Sequence, residues 1–262
     1  MPSAGWQTVD QRIAALVPSF EIVKPDGEGP FPVVIQMHGC GGVKPPQARW
    51  AEIARKAGWA AVIVDSYAHR QINQLEAYAT VCTGLRLWGR ERAGDLFATM
   101  AWLRTQPWAD AKHIVAAGWS HGGWTALDAM ALTPGDDAAG STKLDGLADE
   151  PLAGLVGAFV VYPFVGPGSL ARTRGLRVDV QTKALVGTHD VIVGGRIVGR
   201  TLEKMKTPGA KVDVTVLENA THAFDELEAK DIRVRYDPEI TARAQALYSD
   251  YLKAAAKRAS PL

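Results

Sequence analysis

Residues 113–132, HIVAAGWSHGGWTALDAMAL, join an apolar run to a helical stretch across one short turn. The run HIVAAGW is rich in small and β-branched apolar residues, which is typical of a buried strand. The segment GGWTALDAMAL follows at once and predicts a helix. Ser120 lies between them with Gly118, Gly122 and Gly123 close by, and small residues are needed where a strand turns tightly into a helix. The stretch therefore predicts a strand–turn–helix unit of an α/β protein.

The same alternation of strand and helix runs through the chain from residue 20 onward. Strands are predicted at 20–24, 33–38, 60–65, 113–119, 155–162, 183–187 and 212–218. Helices are predicted at 47–57, 91–105, 121–132, 196–206 and 238–257. Several strands are apolar at successive positions, as in parallel sheets that helices cover on both faces. We expect a doubly wound α/β sheet with functional residues on loops at the carboxyl ends of its strands.

The charge balance excludes some classes of partner. The 262 residues contain 29 Lys and Arg against 28 Asp and Glu, a net charge of +1. Such a chain has no bulk field to attract nucleic acid or an anionic membrane, so we expect neither as a partner. No signal peptide is visible and the two cysteines are too few for a disulfide framework, which favours a cytoplasmic location. An exported mature form stays open, as do a monomer and a homodimer.

We expect one domain over residues 1–262, with three segments outside the regular alternation. Residues 1–19 form an N-terminal extension. Residues 66–90 leave the carboxyl end of the third strand, so they should border any site there. Residues 133–150 are acidic and rich in Gly and Ala, and predict a solvated surface loop, with a mobile lid as the alternative.

Three residues in a consistent order predict nucleophilic catalysis. Ser120 lies in a G-x-S-x-G pattern and is the candidate nucleophile. A serine needs a positioned base, and among six histidines His222 is favoured because it follows the last strand. Asp190 follows the strand at 183–187 and is the candidate acid that orients the histidine. Asp225 and Glu226 are the alternative acids.

A glycine-rich turn after the second strand predicts hydrogen-bond donors for an oxyanion. This turn is HGCGG, residues 38–42. The backbone N–H groups of Cys40 and His121 are the expected donors, with that of Gly41 as the alternative for Cys40. The sequence lacks an H-E-x-x-H pattern and paired histidines at helical spacing, so we expect no metal.

Two side chains near this edge are candidates for substrate binding. Trp119 precedes the nucleophile and is expected to wall an acyl pocket. Arg70 is expected to receive a substrate carboxylate, and its alternative is an ion pair with a nearby acid. Cys40 and Cys82 both lie on loops over the same edge, and the sequence leaves open whether they form a disulfide.

The motifs MHGCGG, AAGWSHGG, LVGTHD and NATHAF resemble those of the α/β-hydrolase superfamily, and most closely the dienelactone hydrolase family. The resemblance covers about residues 20–255. It implies a mostly parallel sheet of about eight strands, a Ser120–Asp190–His222 triad, and hydrolysis of a small-molecule ester or lactone without metal or cofactor. Dienelactone hydrolases have a cysteine nucleophile where this chain has Ser120, and a glutamate where it has the HGCGG turn. These departures favour a serine esterase.

Two other functions fit the same motifs. A peptidase or an acyltransferase would use an identical triad on a different acyl donor or acceptor. A ligand-binding protein on a hydrolase scaffold would keep the triad with little turnover.

Overall fold

The structure is a computed structural model, which describes residues 5–209 and 211–258. Its strands are β1 (Gln7–Thr8), β2 (Glu21–Val23), β3 (Phe31–Met37), β4 (Ala60–Val64), β5 (Ala109–Trp119), β6 (Leu144–Asp145), β7 (Leu155–Val161), β8 (Gln181–Gly187) and β9 (Asp213–Leu217). Its α-helices are α1 (Val9–Leu16), α2 (Pro45–Lys56), α3 (Gln74–Glu76), α4 (Gly89–Leu103), α5 (His121–Ala131), α6 (Asp136–Thr142), α7 (Leu170–Arg174), α8 (Gly195–Glu203) and α9 (Pro238–Ala255). None of the helices in these ranges is both long and apolar enough to cross a bilayer.

The main sheet contains seven strands in the order β2-β4-β3-β5-β7-β8-β9. All neighbours are parallel except β2 and β4. These strands are the seven that the sequence predicts. Within the described residues the expectation of about eight strands is corrected to seven. The segment before β2, predicted as an N-terminal extension, contains helix α1, which Thr8 caps and which buries Leu16.

Helices cover both faces of the main sheet, as the sequence predicts. Side chains that alternate along a strand point to opposite faces. In β3, Val33 and Ile35 belong to a core with α1, α4, α5 and α8, whereas Val34 belongs to a core with α2 and α9. The chain is therefore an α/β protein with a doubly wound sheet.

The parallel strands bring the candidate residues to one edge. The carboxyl ends of β3, β5, β8 and β9 all lie on the same side of the sheet. The HGCGG turn follows β3 and Ser120 follows β5. Asp190 comes shortly after β8, and His222 shortly after β9. The fold thus brings these residues to one edge of the sheet although they are far apart in sequence.

Residues 66–90 pack beside the HGCGG turn. Tyr67 donates a hydrogen bond from its hydroxyl to the carbonyl oxygen of Cys40 at 2.8 Å. Cys40 also forms a disulfide with Cys82, with the two Cα atoms 5.1 Å apart. A small apolar cluster of this segment packs on Cys40, made of Tyr67, Ile72, Ala77, Val81 and Leu87. The segment therefore borders the predicted site, as expected, and the disulfide that the sequence left open is formed.

Residues 133–150 are more ordered than the sequence predicts. They contain helix α6 and strand β6, which pairs with β1. Ala138, Thr142 and Leu144 are buried, because this segment packs against α4 and α1. The segment is mostly exposed, as the sequence predicts, but the expectation of a loop is wrong where α6 and β6 form.

The disulfide closes a loop across 42 residues of sequence, so we expect it to stabilise the fold. The double variant Cys40→Ser/Cys82→Ser should lose about 2–4 kcal/mol of unfolding free energy, since cross-linking restricts the unfolded chain. Urea unfolding measures the loss. A reductant should bring the wild type to the variant's stability and leave the variant unchanged. Equal unfolding curves for oxidised wild type and variant would contradict the prediction.

Candidate active site

Ser120 occupies a strained turn between β5 and α5. Its φ of 53° and ψ of −111° are rare for a residue with a side chain. A Cβ at Gly118 would overlap the backbone of Gly122, and a Cβ at Gly122 would overlap the carbonyl oxygen of Met37. The glycines therefore let β5, α5 and the end of β3 approach closely. The sequence predicted this turn.

The three predicted side chains form one hydrogen-bonded path. His222 Nε2 lies 2.9 Å from Ser120 Oγ, and His222 Nδ1 lies 2.7 Å from Asp190 Oδ2. The other carboxylate oxygen of Asp190 accepts hydrogen bonds from the N–H groups of Ile192 and Val193. The Asp190 carboxylate accepts a hydrogen bond from Nδ1–H, which leaves Nε2 free to accept a hydrogen bond from the serine hydroxyl.

One predicted oxyanion donor lies in the HGCGG turn, which packs against Ser120, and the other lies at the start of α5. A Cβ placed on Gly39 would be 3.6 Å from Ser120 Cβ, so the HGCGG turn lies directly against the serine. His121 is the first residue of α5, where a helical N–H has no partner within the helix. Neither the Cys40 nor the His121 amide donates to another described residue. Both amides are available to a ligand.

Residues 20–256 match the sequence profile of the dienelactone hydrolase family. The chain belongs to this family. No curated protein sequence is significantly similar to it.

Solved structures of two bacterial enzymes share the fold of this family member. Esterase 2 from Thermogutta terrifontis, phosphonylated by cyclosarin, is 17% identical with a TM-score of 0.66, over 93% of this chain and 90% of that one. A dienelactone hydrolase from Anabaena variabilis is 20% identical with a TM-score of 0.58, over 90% of both chains. At such identities the likeness extends to the fold alone.

Arg70 does not match its predicted role in this family member. Its two Nη atoms bind the carboxylate of Asp95 at 2.8 and 2.9 Å, and Nη1 also donates to the carbonyl oxygen of Ser66. Burial alone raises the pKa of Asp95, but the Arg70 and Arg12 guanidiniums lower it below its usual range. Arg70 is therefore engaged in a buried ion pair, the alternative that the sequence left open, and is not offered to a substrate carboxylate.

Trp119 is also placed differently from the expectation. Its side chain is 1% exposed and its ring lies 5.4 Å from that of Trp50 on α2. Adjacent residues of a strand point to opposite faces, so a residue next to Ser120 can enter the core. Trp119 packs there and does not wall an acyl pocket.

Asp225, an alternative acid in the sequence analysis, anchors the loop that carries His222. It accepts hydrogen bonds from Trp50 Nε1 at 2.7 Å and from the Tyr162 hydroxyl at 2.8 Å. Burial raises the pKa of Asp225, and these two hydrogen bonds partly offset that effect. The ring of Tyr162 in turn lies 4.7 Å from that of His222. Asp225 therefore holds the loop of His222 and the neighbouring Tyr162 in place, whereas Asp190 is the carboxylate that contacts His222.

Buried polar side chains that contact the HGCGG turn were not predicted from the sequence. Arg92 on α4 is fully buried and donates to the carbonyl oxygen of His38 and to Ser66 Oγ. His38 is fully buried as well. The only signal in the sequence is that Arg92 and Asp95 lie among apolar residues of this helix, which include Ala93, Leu96 and Phe97. Such a position indicates burial but not the partners.

The role of Asp225 can be tested through stability. Asp225→Ala leaves the buried Trp50 Nε1 and Tyr162 hydroxyl without an acceptor, and each unsatisfied group costs about 1–3 kcal/mol. Urea unfolding should show a loss in that range or above. Glu226→Gln is the matched control, because Glu226 has only a 3.9 Å ion pair with Lys44. Equal stability of Asp225→Ala and wild type would disprove the anchoring role.

Proposed function

We propose that this protein is a serine hydrolase that cleaves a carboxylic ester or lactone through an acyl-enzyme on Ser120. The observation that carries the proposal is the continuous path from Asp190 through His222 to Ser120, with contacts of 2.7 and 2.9 Å. A serine on a strained strand-to-helix turn, beside a base that a buried carboxylate orients, has the geometry of an activated nucleophile. Membership of the dienelactone hydrolase family supports the same reaction class.

The proposed reaction has two acyl-transfer steps. His222 Nε2 takes the Ser120 proton while Oγ attacks the ester carbonyl, which gives a tetrahedral oxyanion. The C–O bond to the alcohol then breaks, and His222 returns the proton to the leaving oxygen. In the second step His222 activates water, which attacks the acyl-enzyme and releases the carboxylic acid and free Ser120. Asp190 stabilises the imidazolium in both steps and is not itself protonated.

The oxyanion would be held by the backbone N–H groups of Cys40 and His121. The N-terminus of α5 adds the positive end of a helix dipole at the same place. Donors of this kind stabilise charge that appears only in the transition state, so they accelerate the reaction and not merely the binding of substrate.

Structures of the Thermogutta esterase include forms phosphonylated by cyclosarin and bound to propionate or butyrate. For the present chain this supports two choices of reagent: short acyl esters as first substrates and a phosphonate as a covalent probe. Dienelactones are a weaker choice, because this chain has Ser120 where the family's cysteine nucleophile stands.

A panel of aryl esters, lactones and peptides separates this proposal from the other functions of the triad. Cleavage of peptides in preference to esters would indicate a peptidase, and transfer to an added alcohol in preference to water would indicate an acyltransferase. A burst of product from a simple aryl ester would exclude a ligand-binding protein with an idle triad.

The location of the protein needs a separate test. The cytoplasm expected from the sequence stays a prediction, whereas a Cys40–Cys82 disulfide is more typical of an oxidising compartment. Alkylation of free thiols at lysis, followed by mass spectrometry, decides between them. If Cys40 and Cys82 from cells carry no alkyl group because they are joined in a disulfide, the oxidising compartment is favoured. If both are alkylated, the cytoplasm is favoured.

Ser120→Ala should abolish ester hydrolysis, with kcat lower by about 10⁴- to 10⁶-fold, because no acyl-enzyme forms. A fluorogenic aryl ester measures the rate, and intact mass after treatment with a phosphonate should show one adduct on wild type and none on the variant. Ser249→Ala is the matched control. Ser249 lies two residues from Tyr251, whose hydroxyl donates to the carbonyl oxygen of Gln181 at the amino end of β8, the end opposite the site. Full activity of Ser120→Ala would disprove the mechanism.

Asp190→Asn should lower kcat by about 10⁴-fold, because an amide cannot hold the reactive histidine tautomer as a carboxylate does. The matched comparison is Asp225→Asn, which should lower the midpoint of urea unfolding and retain most of the activity at a temperature where the variant is folded. If Asp225→Asn lost activity and Asp190→Asn kept it, the assignment of the acid would be reversed.

A further inference from the structure

The peptide bond between Gly39 and Cys40 is held from its carbonyl side. A trans peptide is planar, so the Gly39 carbonyl oxygen and the Cys40 N–H point in opposite directions. The oxygen lies 2.6 Å from His38 Nδ1 and accepts a second hydrogen bond from the N–H of Gly42 at 3.2 Å. Fixing the oxygen therefore fixes the direction of the Cys40 N–H, the proposed oxyanion donor.

The hydrogen bonds of His38 determine its tautomer. Its Nε2 accepts the backbone N–H of Ser66 at 3.2 Å. Because a backbone N–H can only donate, Nε2 carries no proton, and we assign the ring proton to Nδ1. Burial first, and the charge of Arg92 second, hold the pKa of His38 well below its usual value. The ring is therefore neutral and donates to the Gly39 carbonyl oxygen.

Arg92 contacts the two segments that carry the proposed oxyanion donors. Its Nη1 donates to the carbonyl oxygen of His38 at 2.7 Å and lies 3.2 Å from His121 Nδ1. Burial, followed by the charge of Arg92, lowers the pKa of His121 to about 3, so that ring is neutral and Nδ1 accepts. One guanidinium thus links the peptide that precedes the first donor to the residue that carries the second.

The charge of Arg92 has little local compensation. No carboxylate of the described residues lies within 4 Å of its guanidinium nitrogens. The nearby Asp95 pairs instead with Arg12 at 2.7 Å and with Arg70 at 2.8 Å. Its Nη2 is buried without a hydrogen-bond partner in the described residues. Burial of such a group is unfavourable for stability. In a site of low dielectric, the same positive charge would attract an oxyanion that forms nearby.

We propose that His38 and Arg92 are positioning residues of the oxyanion hole. His38 holds the Gly39–Cys40 peptide with its N–H toward the substrate carbonyl. Arg92 joins the carbonyl oxygen of the preceding His38–Gly39 peptide to His121 Nδ1, and supplies positive charge beside the residues that carry both donors. Neither side chain is required to touch the substrate. This inference rests on the proposed acyl-transfer function and adds to it the groups that orient the donors.

Matched pairs of variants test the proposal. His38→Asn keeps an N–H donor near the position of Nδ1, and His38→Leu removes it. Arg92→Lys keeps the charge, and Arg92→Met removes it. Each protein is assayed on an aryl ester and on its thionoester analogue. Sulfur is a weak acceptor, so damage to the oxyanion donors slows the oxygen ester more than the thionoester.

Relative to wild type, His38→Leu and Arg92→Met should lower kcat on the oxygen ester by about 10²-fold, as expected for a misplaced catalytic group. KM should change little, and the rate ratio of oxygen ester to thionoester should fall. His38→Asn and Arg92→Lys should each recover part of the rate and of the ratio. Partial recovery by the conservative member, together with the changed ratio, distinguishes positioning from a general loss of structure.

Near-ultraviolet circular dichroism and thermal unfolding show which variants are folded. If His38→Leu or Arg92→Met does not fold, the conservative variants still decide, because each should show an intermediate ratio. An unchanged ratio in every folded variant would overturn the positioning role while an active wild type leaves the proposed function standing. A wild type that neither hydrolyses the ester nor takes up a phosphonate on Ser120 would overturn both.

Discussion

The backbone of Ser120 is the point on which the site depends. Its conformation, φ 53° and ψ −111°, costs on the order of 1–3 kcal/mol for a residue with a side chain. Three backbone hydrogen bonds hold it: its N–H donates to Val161 on β7, and its carbonyl oxygen accepts from Trp124 and Phe164. The main sheet and α5 therefore stabilise the strained conformation. This conformation places the Ser120 hydroxyl at the carboxyl edge of the sheet.

The surroundings of Ser120 fall into two supporting halves. On one side, Asp225 fastens the His222 loop to Trp50 of α2 and to Tyr162 after β7. On the other side, the HGCGG turn is fastened by the disulfide to Cys82 and by the hydroxyl of Tyr67. His222 and the proposed oxyanion donors are thus tied to different elements. Rigid support on both sides is what a reaction that needs close alignment of its groups requires.

The sequence predicts positions that depend on neighbouring residues, and it does not predict partners that come from distant segments. Ser120, Asp190 and His222 each follow a recognisable strand, and parallel strands bring such positions together whatever the intervening sequence is. Arg70 and Trp119 have equally clear positions along the chain but different partners from those expected. A salt bridge to Asp95, 25 residues away, and packing on Trp50 of another layer depend on three-dimensional neighbours. The same holds for α6 and β6, which are ordered by packing that no local pattern indicates.

The sequence by itself determined the alternation of strands and helices, the glycine turn at Ser120 and the order of serine, aspartate and histidine. Periodicity, glycine positions and strand ends are properties of neighbouring residues, so a single chain displays them. Only the tertiary structure decided that Arg92 and His38 lie behind the HGCGG turn, that Cys40 bonds to Cys82, and that Arg70 pairs with Asp95. A buried polar group is defined by partners that compensate its desolvation, and those partners come from distant segments that only the folded chain brings together.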